Sequence, residues 1–259
     1  TPASGAVNAV SDQTLSWTAG PGSVSSNLYF GTEHQAVVEA EPTSAEFITN
    51  TTSGQYQLND LEYGKTYYWR VDAVAADSSV LRGYTWTFTV SNNITIDDFQ
   101  SYADTAALQS VWAGAATLDM GSIYNSTKAM RLFFEHTNAA QKTSVTRTFS
   151  PALDWDEPGI MALALNCYGD ANEISTLFVR VGDGSGNAVI TYPNPSELYK
   201  DFNQYYRTWN IDLADISGAA VNLSAVTSME IGFEGVGRGA VMFDDIKLYV
   251  ARCVPAFFP

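Results

Sequence analysis

Residues 65–75 read KTYYWRVDAVA, and this run decides the fold class because its apolar side chains occur at every second position. Tyr67, Trp69, Val71 and Ala73 would all lie on one face of an extended strand. The same alternation recurs in QTLSWT (13–18), SNLYFGT (26–32) and GYTWTFTV (83–90). Turn-forming segments rich in Gly, Pro, Asn and Ser separate these runs, so we predict an all-β sandwich without helices.

The alternation also assigns side chains to the two faces of this predicted sandwich. Its aromatic residues are expected to fill the core. They are Trp17, Tyr67, Trp69 and Trp86. Tyr68, Arg70 and Asp72 fall on the opposite face, where they could contact a neighbouring domain or form a solvated face.

Length and charge limit the function classes. The chain has 259 residues, with 13 Lys and Arg against 28 Asp and Glu, and its formal net charge is −15. Such a surface repels phosphate backbones, so nucleic acid is not an expected partner. No run of eighteen apolar residues occurs, so we predict no membrane insertion. The length suits two domains, each large enough to bury a core.

A short polar joint, SNN at 91–93, separates two patterns in the sequence. We predict one domain at 1–91 and a second at 94–253. Most of the second domain also reads as strands, enough for two packed sheets in a jelly roll. Two brief helices are predicted, one through 105–112 capped by Asp104 and one at 213–217. We expect a hairpin turn at VGDGSGN (181–187).

Two strand-like runs carry adjacent aspartates, ITIDDFQ at 94–100 and MFDDIKLY at 242–249. Aspartate is a poor strand residue, so each pair needs a reason. Carboxylates brought together at a sheet edge repel each other unless they are protonated or bridged by a cation such as calcium. The alternative is that each pair ends a strand, with its carboxylates capping backbone amides and facing water.

Two segments resemble known families. LNDLEYGKTYYWRVDAV is similar to the end of a fibronectin type III domain, which implies that the Tyr67 hydroxyl bonds the backbone near Leu61. DDFQSY, Trp112 and FDDIKLY resemble carbohydrate-binding modules with a galactose-binding-like jelly roll. Fibronectin-plus-jelly-roll segments of this kind occur in large exported bacterial proteins, so the resemblance implies an extracellular or cell-surface location and further domains of a larger parent protein.

The second resemblance implies a structural calcium ion (Ca2+) that joins the first and last strands of the jelly roll. Asp98 and Asp245 are the preferred ligands. Asp97 and Asp244 are less favoured because neighbouring residues of a strand point to opposite faces. The sequence departs from related modules at Gln100, where they often have Glu.

A loop rich in tyrosine, residues 191–210, is the strongest candidate for a ligand site, because sugars bind against flat aromatic faces framed by hydrogen-bonding groups. Its candidate residues are Tyr192, Tyr199, Asn203, Tyr205, Tyr206 and Arg207. Trp155, in the polar turn DWDEPG, and Tyr168 are further candidates. Trp209 alternates with Ile211 and is read as core. The predicted ligand is a polysaccharide or other glycan, more favourably a neutral one given the acidic surface.

Catalysis is not predicted. The two histidines, His34 and His136, fall in different domains, and no serine-hydrolase elbow, zinc-protease motif or phosphate-binding loop occurs. The alternative to a sugar-binding module is a structural or adhesive module that mediates protein–protein contacts. Cys167 and Cys253 could form one disulfide bond or remain separate thiols, and the sequence leaves both open.

Overall fold

A computed structural model describes residues 1–123, 126–171, 176–193 and 206–251 of the chain, apart from the side chains of 120–123, 126, 170 and 171. It divides the chain into two compact units. The first comprises Thr1–Asn93 with Glu157–Gly159, and the second comprises Ile94–Asp156 with Ile160–Pro259. Both are β-sandwiches, so the predicted all-β class is confirmed. No helix within the described ranges is both long and apolar enough to span a bilayer.

The first unit contains a long sheet and a short sheet. Its strands are β1 (Ala6–Ala9), β2 (Thr14–Ser16), β3 (Ser23–Gly31), β4 (Phe47–Thr51), β5 (Gln55–Gln57), β6 (Thr66–Ala75), β7 (Val80–Leu81) and β8 (Thr85–Val90). The long sheet has the order β1-β8-β6-β3-β4, with β7 paired to β6, and the short sheet pairs β2 with β5. The Tyr67 hydroxyl accepts the backbone N–H of Glu62 at 3.0 Å, as predicted for this tyrosine.

A helix that the sequence did not predict, α1 (His34–Glu39), follows β3. It is held by Arg70, which is 1% exposed, pairs with Asp72 at 2.9 Å and donates to the carbonyl oxygens of Val37 and Ala40. The interpretation of Arg70 and Asp72 as part of a solvated sheet face is therefore wrong. A buried charge is tolerated when it is paired and fully hydrogen-bonded, as it is here.

One aromatic residue of the first unit was also misassigned. Tyr67 and Trp69 are buried in the core as expected, but Trp86 is 39% exposed. Trp86 pairs with Trp69 across β6 and β8, so both rings lie on the inner face of the long sheet. The short strands β2 and β5 do not extend far enough to cover this part of the sheet.

The second unit has two larger sheets. Its strands are β9 (Asn93–Asp97), β10 (Trp112–Gly114), β11 (Thr117–Ile123), β12 (Ser126–His136), β13 (Lys142–Leu153), β14 (Ala162–Ala171), β15 (Thr176–Gly182), β16 (Asn187–Thr191), β17 (Arg207–Asp212), β18 (Val226–Glu234) and β19 (Gly237–Tyr249). The back sheet has the order β10-β13-β18-β15-β16. The front sheet has the order β11-β12-β19-β14-β17, with β9 also paired to β19.

The predicted local elements of the second unit are confirmed. Helix α2 (Thr105–Val111) begins after Asp104, whose side chain accepts the N–H of Ala107 at 2.9 Å. Helix α3 (Leu213–Ser217) and a 3₁₀ turn (Leu223–Ala225) lie before β18. The hairpin between β15 and β16 closes at the pair Gly182 and Asn187.

The first and last strands of this unit are neighbours, as the sequence analysis supposed, because β9 pairs with β19. A β-bulge interrupts β19 opposite β14. Asn166 pairs with Asp244 and Ala164 pairs with Lys247, so two residues, Asp245 and Ile246, oppose the single residue Leu165. Asp245 has φ of 46°, a left-handed conformation that aspartate adopts more readily than most residues.

Candidate functional site

The outward face of the front sheet carries a cluster of polar and aromatic side chains. On β14, Leu163, Leu165 and Cys167 point into the core. The intervening Asn166 and Tyr168 therefore point to the opposite face, away from the back sheet. The strand registers continue this face onto the neighbouring strands, where Asp244 and Thr208 flank Asn166.

Two tyrosines form the aromatic part of the cluster. The rings of Tyr168 and Tyr206 stack with their centroids 5.1 Å apart and their planes 25° from parallel. Both side chains are half-buried. Burial raises the pKa of Tyr206, and the negative charges of Asp244 and Asp119 raise it further. Its hydroxyl therefore stays protonated at neutral pH and can donate a hydrogen bond.

The polar part of the cluster lies in one row across the strands. Thr208 is exposed, and its Oγ1 donates to Oδ1 of Asn166 at 2.7 Å. Asp244 is fully buried, and its Oδ1 accepts the backbone N–H of Asp245 at 2.8 Å. On the other side of β19, Asp119 pairs in register with Ala129. Asp244 and Asn166 are buried, so the exposed hydroxyl of Thr208 and the half-buried Asp119 are the groups of this row that lie open to a ligand rich in hydroxyls.

Small residues form the floor between these groups. Ala162 and Ala164 alternate with the core leucines of β14 and are 0% and 2% exposed, and Ala129 on β12 is also buried. Because these methyl groups are already covered, they pack beneath the cluster and are not themselves open to a ligand. We refer to this cluster as the sheet-face site, which consists of Asp119, Asn166, Tyr168, Tyr206, Thr208 and Asp244.

No family model matches this sequence, and no curated protein matches it. Solved structures with a similar fold include the family 11 carbohydrate-binding module of cellulosomal cellulase Lic26A-Cel5E of Clostridium thermocellum. It has a TM-score of 0.42 and 13% identity, over 61% of this chain and 95% of that one. The non-crystalline cellulose specific module CBM28 has a TM-score of 0.41 and 15% identity, over 62% of this chain and 100% of that one.

The agarase AgWH50C is also similar, with a TM-score of 0.44 and 11% identity over 63% of this chain and 25% of the agarase chain. At identities and TM-scores this low, the likeness assigns no function to the chain.

The predicted ligand residues differ in their position and burial in the structure. Trp155 is 0% exposed and packs edge-to-face on Phe149 in the core, so its predicted exposure in a polar turn is wrong. Tyr192 is half-buried and meets Trp209, a core residue as predicted, with ring centroids 5.3 Å apart. Arg207 is exposed at the start of β17.

Of the proposed tyrosine loop, the sheet-face site contains Tyr206. The other predicted binding residues of this loop, Tyr199, Asn203 and Tyr205, lie outside the described residues. Cys253 lies outside them too, while Cys167 is buried and its thiol is free.

The first aspartate pair ends a strand. Asp97 is buried, and its Oδ2 accepts from the Tyr102 hydroxyl at 2.6 Å, from Nε1 of Trp112 at 2.9 Å and from Nη1 of Arg147 at 2.5 Å. Its Oδ1 accepts the N–H of Phe99. These donors compensate the buried charge without a metal ion.

Asp98 is exposed and caps the N–H of Gln100 at 3.1 Å, as the alternative interpretation of the pair expected. In the second pair, Asp245 forms an ion pair with Nζ of Lys247 at 2.6 Å. Burial opposes the charge on Lys247, but Asp245 and, more weakly, Tyr249 and Asp98 raise its pKa overall.

The four aspartates are thus not gathered into one ligand shell. Among the described residues, no group of three or more His, Cys, Asp or Glu side chains could hold a metal ion. Asp97 accepts four hydrogen bonds from the chain and Oδ1 of Asp244 accepts one, so calcium binding by either of these two aspartates stays a prediction. Lys247 provides a positive charge beside Asp98 and Asp245.

Sequence reasoning missed Asn166, Thr208 and Asp119 as members of the site. The signal was present in MALALNCY and RTWNID, where polar residues alternate with the core residues of a strand. Such residues usually form only the solvent-exposed face of a sheet, so alternation alone gave no reason to select them.

Proposed function

We propose that the second unit binds a neutral carbohydrate on the outward face of the front sheet and does so without catalysing a reaction. The stacked pair of Tyr168 and Tyr206 beside the exposed Thr208, which is hydrogen-bonded to Asn166, is the observation that carries this proposal. A sugar ring has an apolar C–H face and an edge of hydroxyl groups, and this surface offers a partner to each.

The charge of the site favours a neutral ligand. Asp119 and Asp244 both raise the pKa of Tyr206, so their negative charges act on the tyrosine pair, and the exposed Arg207 is the cation next to Tyr206 in sequence. The whole chain carries a formal charge of −15. Sulfate or uronate groups would be repelled by this field.

The geometry of the carboxylates supports binding without hydrolysis. Glycoside hydrolysis generally requires two carboxyl groups that flank the scissile bond, one of them as a proton donor. Asp244 is fully buried and is held by the backbone of the bulge, so it does not reach a glycosidic oxygen. Release of reducing ends from a bound polysaccharide would contradict this part of the proposal.

Affinity electrophoresis through gels containing neutral glucans and galactans tests the proposal, followed by calorimetric titration with soluble oligosaccharides. Retention of the unaltered chain is expected. Tyr168→Ala or Tyr206→Ala should weaken binding about 30-fold, since truncating an aromatic contact residue costs about 2 kcal/mol. Val189→Ala is the matched control, because Val189 is 44% exposed but lies on the back sheet.

Tyr206→Phe separates the two contributions of this residue. If the ring is the main contact, the variant keeps most of the affinity, whereas a dominant hydroxyl contact would make it as weak as Tyr206→Ala. No retention on any neutral polysaccharide would refute the proposal and favour a structural or adhesive role in protein–protein contacts.

Calcium binding by Asp98 and Asp245 stays a prediction, and the ion would have to displace Lys247. Thermal melting with calcium and with a chelator tests it. At a hundredfold excess over its dissociation constant, a bound ion would add about 2.7 kcal/mol to the free energy of unfolding. Equal melting temperatures in both conditions would leave Lys247 as the counter-ion of these aspartates.

We further propose that the chain works outside the cell or at its surface, as part of a larger exported protein of bacterial type. The support is its resemblance in sequence to fibronectin-plus-jelly-roll segments together with an acidic, mostly β composition. Localising the full-length protein by antibody labelling of intact cells and culture medium tests this proposal.

A further inference from the structure

The first unit contains an aromatic cleft that the sheet-face site does not use. Strand β6 has ten residues, whereas β2 and β5 of the facing sheet have three each. Part of the inner face of the long sheet is therefore left uncovered. The result is a cleft of about 360 Å³, at the lower end of the usual size for small-ligand sites. We call it the tryptophan cleft, and its main lining residues are Trp17, Thr18, Trp69, Tyr84 and Trp86.

Three indole rings meet in the tryptophan cleft. The Trp69 ring centroid lies 6.5 Å from that of Trp17 and 5.3 Å from that of Trp86, with the planes tilted by 51° and 59°. Trp86 is 39% exposed and Tyr84 is 89% exposed. Exposing two large aromatic side chains beside an open cleft costs hydrophobic free energy, which a ligand that covers them would recover.

One lining residue of the cleft also carries a buried polar group that has no hydrogen-bond partner among the described residues. Trp69 is 2% exposed, and its indole N–H has no acceptor among the described residues. The indole N–H of Trp17, in contrast, donates to Oγ of Ser26 at 3.3 Å. A buried donor without an acceptor costs about 1–3 kcal/mol, so an incoming oxygen that accepts from Trp69 would stabilise the complex.

Among the residues that the structure describes, no charged side chain lines the cleft, while Ser16, Thr18 and Ser26 supply hydroxyl groups at its wall. This lining selects for a neutral ligand with an apolar face and hydroxyl oxygens. We propose that the tryptophan cleft is a second carbohydrate site, which takes one or two rings of a neutral glycan, with Tyr84 and Trp86 against the ring faces and Trp69 donating to a hydroxyl oxygen. The site is independent of the front sheet.

A proline-rich peptide is the main competing ligand, because such peptides also dock on aromatic surfaces. An extended polyproline helix advances about 3.1 Å per residue and therefore needs a long groove. The compact volume of this cleft suits a ligand of one or two rings better.

The distribution of tryptophan gives a direct assay. Of the six tryptophans, three line the cleft, and Trp112, Trp155 and Trp209 are at most 5% exposed in the second unit. A ligand on the sheet-face site meets tyrosines, so a change in tryptophan emission reports on the cleft. We expect neutral tetrasaccharides of glucose or galactose to shift or quench the emission of the full chain in a saturable manner.

Tyr84→Ala is the decisive variant, because this side chain is nearly fully exposed and its loss should not disturb the fold. It should weaken the fluorescence titration about tenfold, since loss of an aromatic contact costs more than about 1 kcal/mol. Trp86→Ala should abolish the titration, while Leu81→Ala, an exposed control on β7, should leave it unchanged. Circular dichroism of each variant checks the fold.

Tyr168→Ala separates this proposal from the one for the second unit, because it should lose retention on the gel yet keep the fluorescence titration. The proposal is overturned if no tetrasaccharide alters the emission, if Tyr84→Ala and Trp86→Ala titrate like the unaltered chain, or if decaproline alone produces the saturable change.

Discussion

Removing the carboxylate of Asp97 should destabilise the second unit strongly, and the effect should not depend on calcium. Asp97 is 6% exposed and accepts from Tyr102, Trp112 and Arg147 through one oxygen. Trp112 is fully buried, and the Arg147 side chain is 23% exposed. Asp97→Ala leaves the phenol, the indole and the guanidinium without this acceptor.

The size of the effect follows from these partners. Breaking a buried ion pair by removing one member costs about 3–5 kcal/mol, and each buried donor left unsatisfied adds about 1–3 kcal/mol. Arg147 is partly exposed and can regain water, so the sum is not additive and we expect about 4 kcal/mol for Asp97→Ala. Asp97→Asn keeps the shape and one acceptor oxygen and should cost about 2 kcal/mol.

Differential scanning calorimetry of the full chain measures this effect. For a unit of this size, 1 kcal/mol lowers the melting temperature by about 2–4 °C, so Asp97→Ala should lower the transition of the second unit by about 8–16 °C. In a double-mutant cycle, Arg147→Leu should recover about 2 kcal/mol of the loss, because it removes the unpaired charge. A shift below about 3 °C would refute the argument. A shift present with calcium and absent with a chelator would instead make Asp97 a metal ligand.

Other variants test single features of the fold. Glu230 is bound by Lys142 and Arg180; burial works to raise its pKa, but these partners lower it overall. The ion pairs of Glu230 therefore stabilise the fold above the ordinary glutamate pKa of about 4.3, and this stabilisation is lost as the pH falls through the lower pKa of the folded state. In Glu230→Gln, the urea midpoint should therefore change less with pH between about pH 5 and 3. Asp245→Gly should be more stable than Asp245→Ala by about 1 kcal/mol, because φ is 46° and both variants lose the same ion pair. Trp155→Ala should lower the free energy of unfolding by about 3–5 kcal/mol, because Trp155 is a core residue. Trp155→Phe should leave the carbohydrate affinity unchanged for the same reason. Weaker binding by the folded Phe variant would contradict this assignment.

The strands were predictable because their apolar period of two is written directly in the sequence, as in KTYYWRVDAVA and MALALNCY. The end caps of α2 and α3 were predictable for a similar reason, since an aspartate and the backbone amides that it caps are close in sequence. Helix α1 was not, because HQAVVE has no capping side chain and is held by Arg70, which lies about thirty positions away.

The aspartate pairs show where a local pattern stops being informative. Strict alternation placed Asp244 and Asp245 on opposite faces and favoured Asp245 as a ligand. The bulge shifts the alternation of side chains along β19 by one residue. Phe243 and Ile246 therefore both point into the core, whereas Asp244 and Lys247 both lie on the outward face beside β14. A bulge is set by the pairing of two strands, and neither strand specifies it alone.

The sheet-face site was underestimated because its residues alternate with core residues along strands, whereas the prediction favoured a Tyr-rich loop. Tyr168 and Asn166 are fixed by the strand on which they lie, and Ala162 and Ala164 are buried beside them. Leucine at either alanine position would be overpacked and should cost about 1–3 kcal/mol of stability, measured as a lower melting temperature. An unchanged melting temperature would contradict this burial.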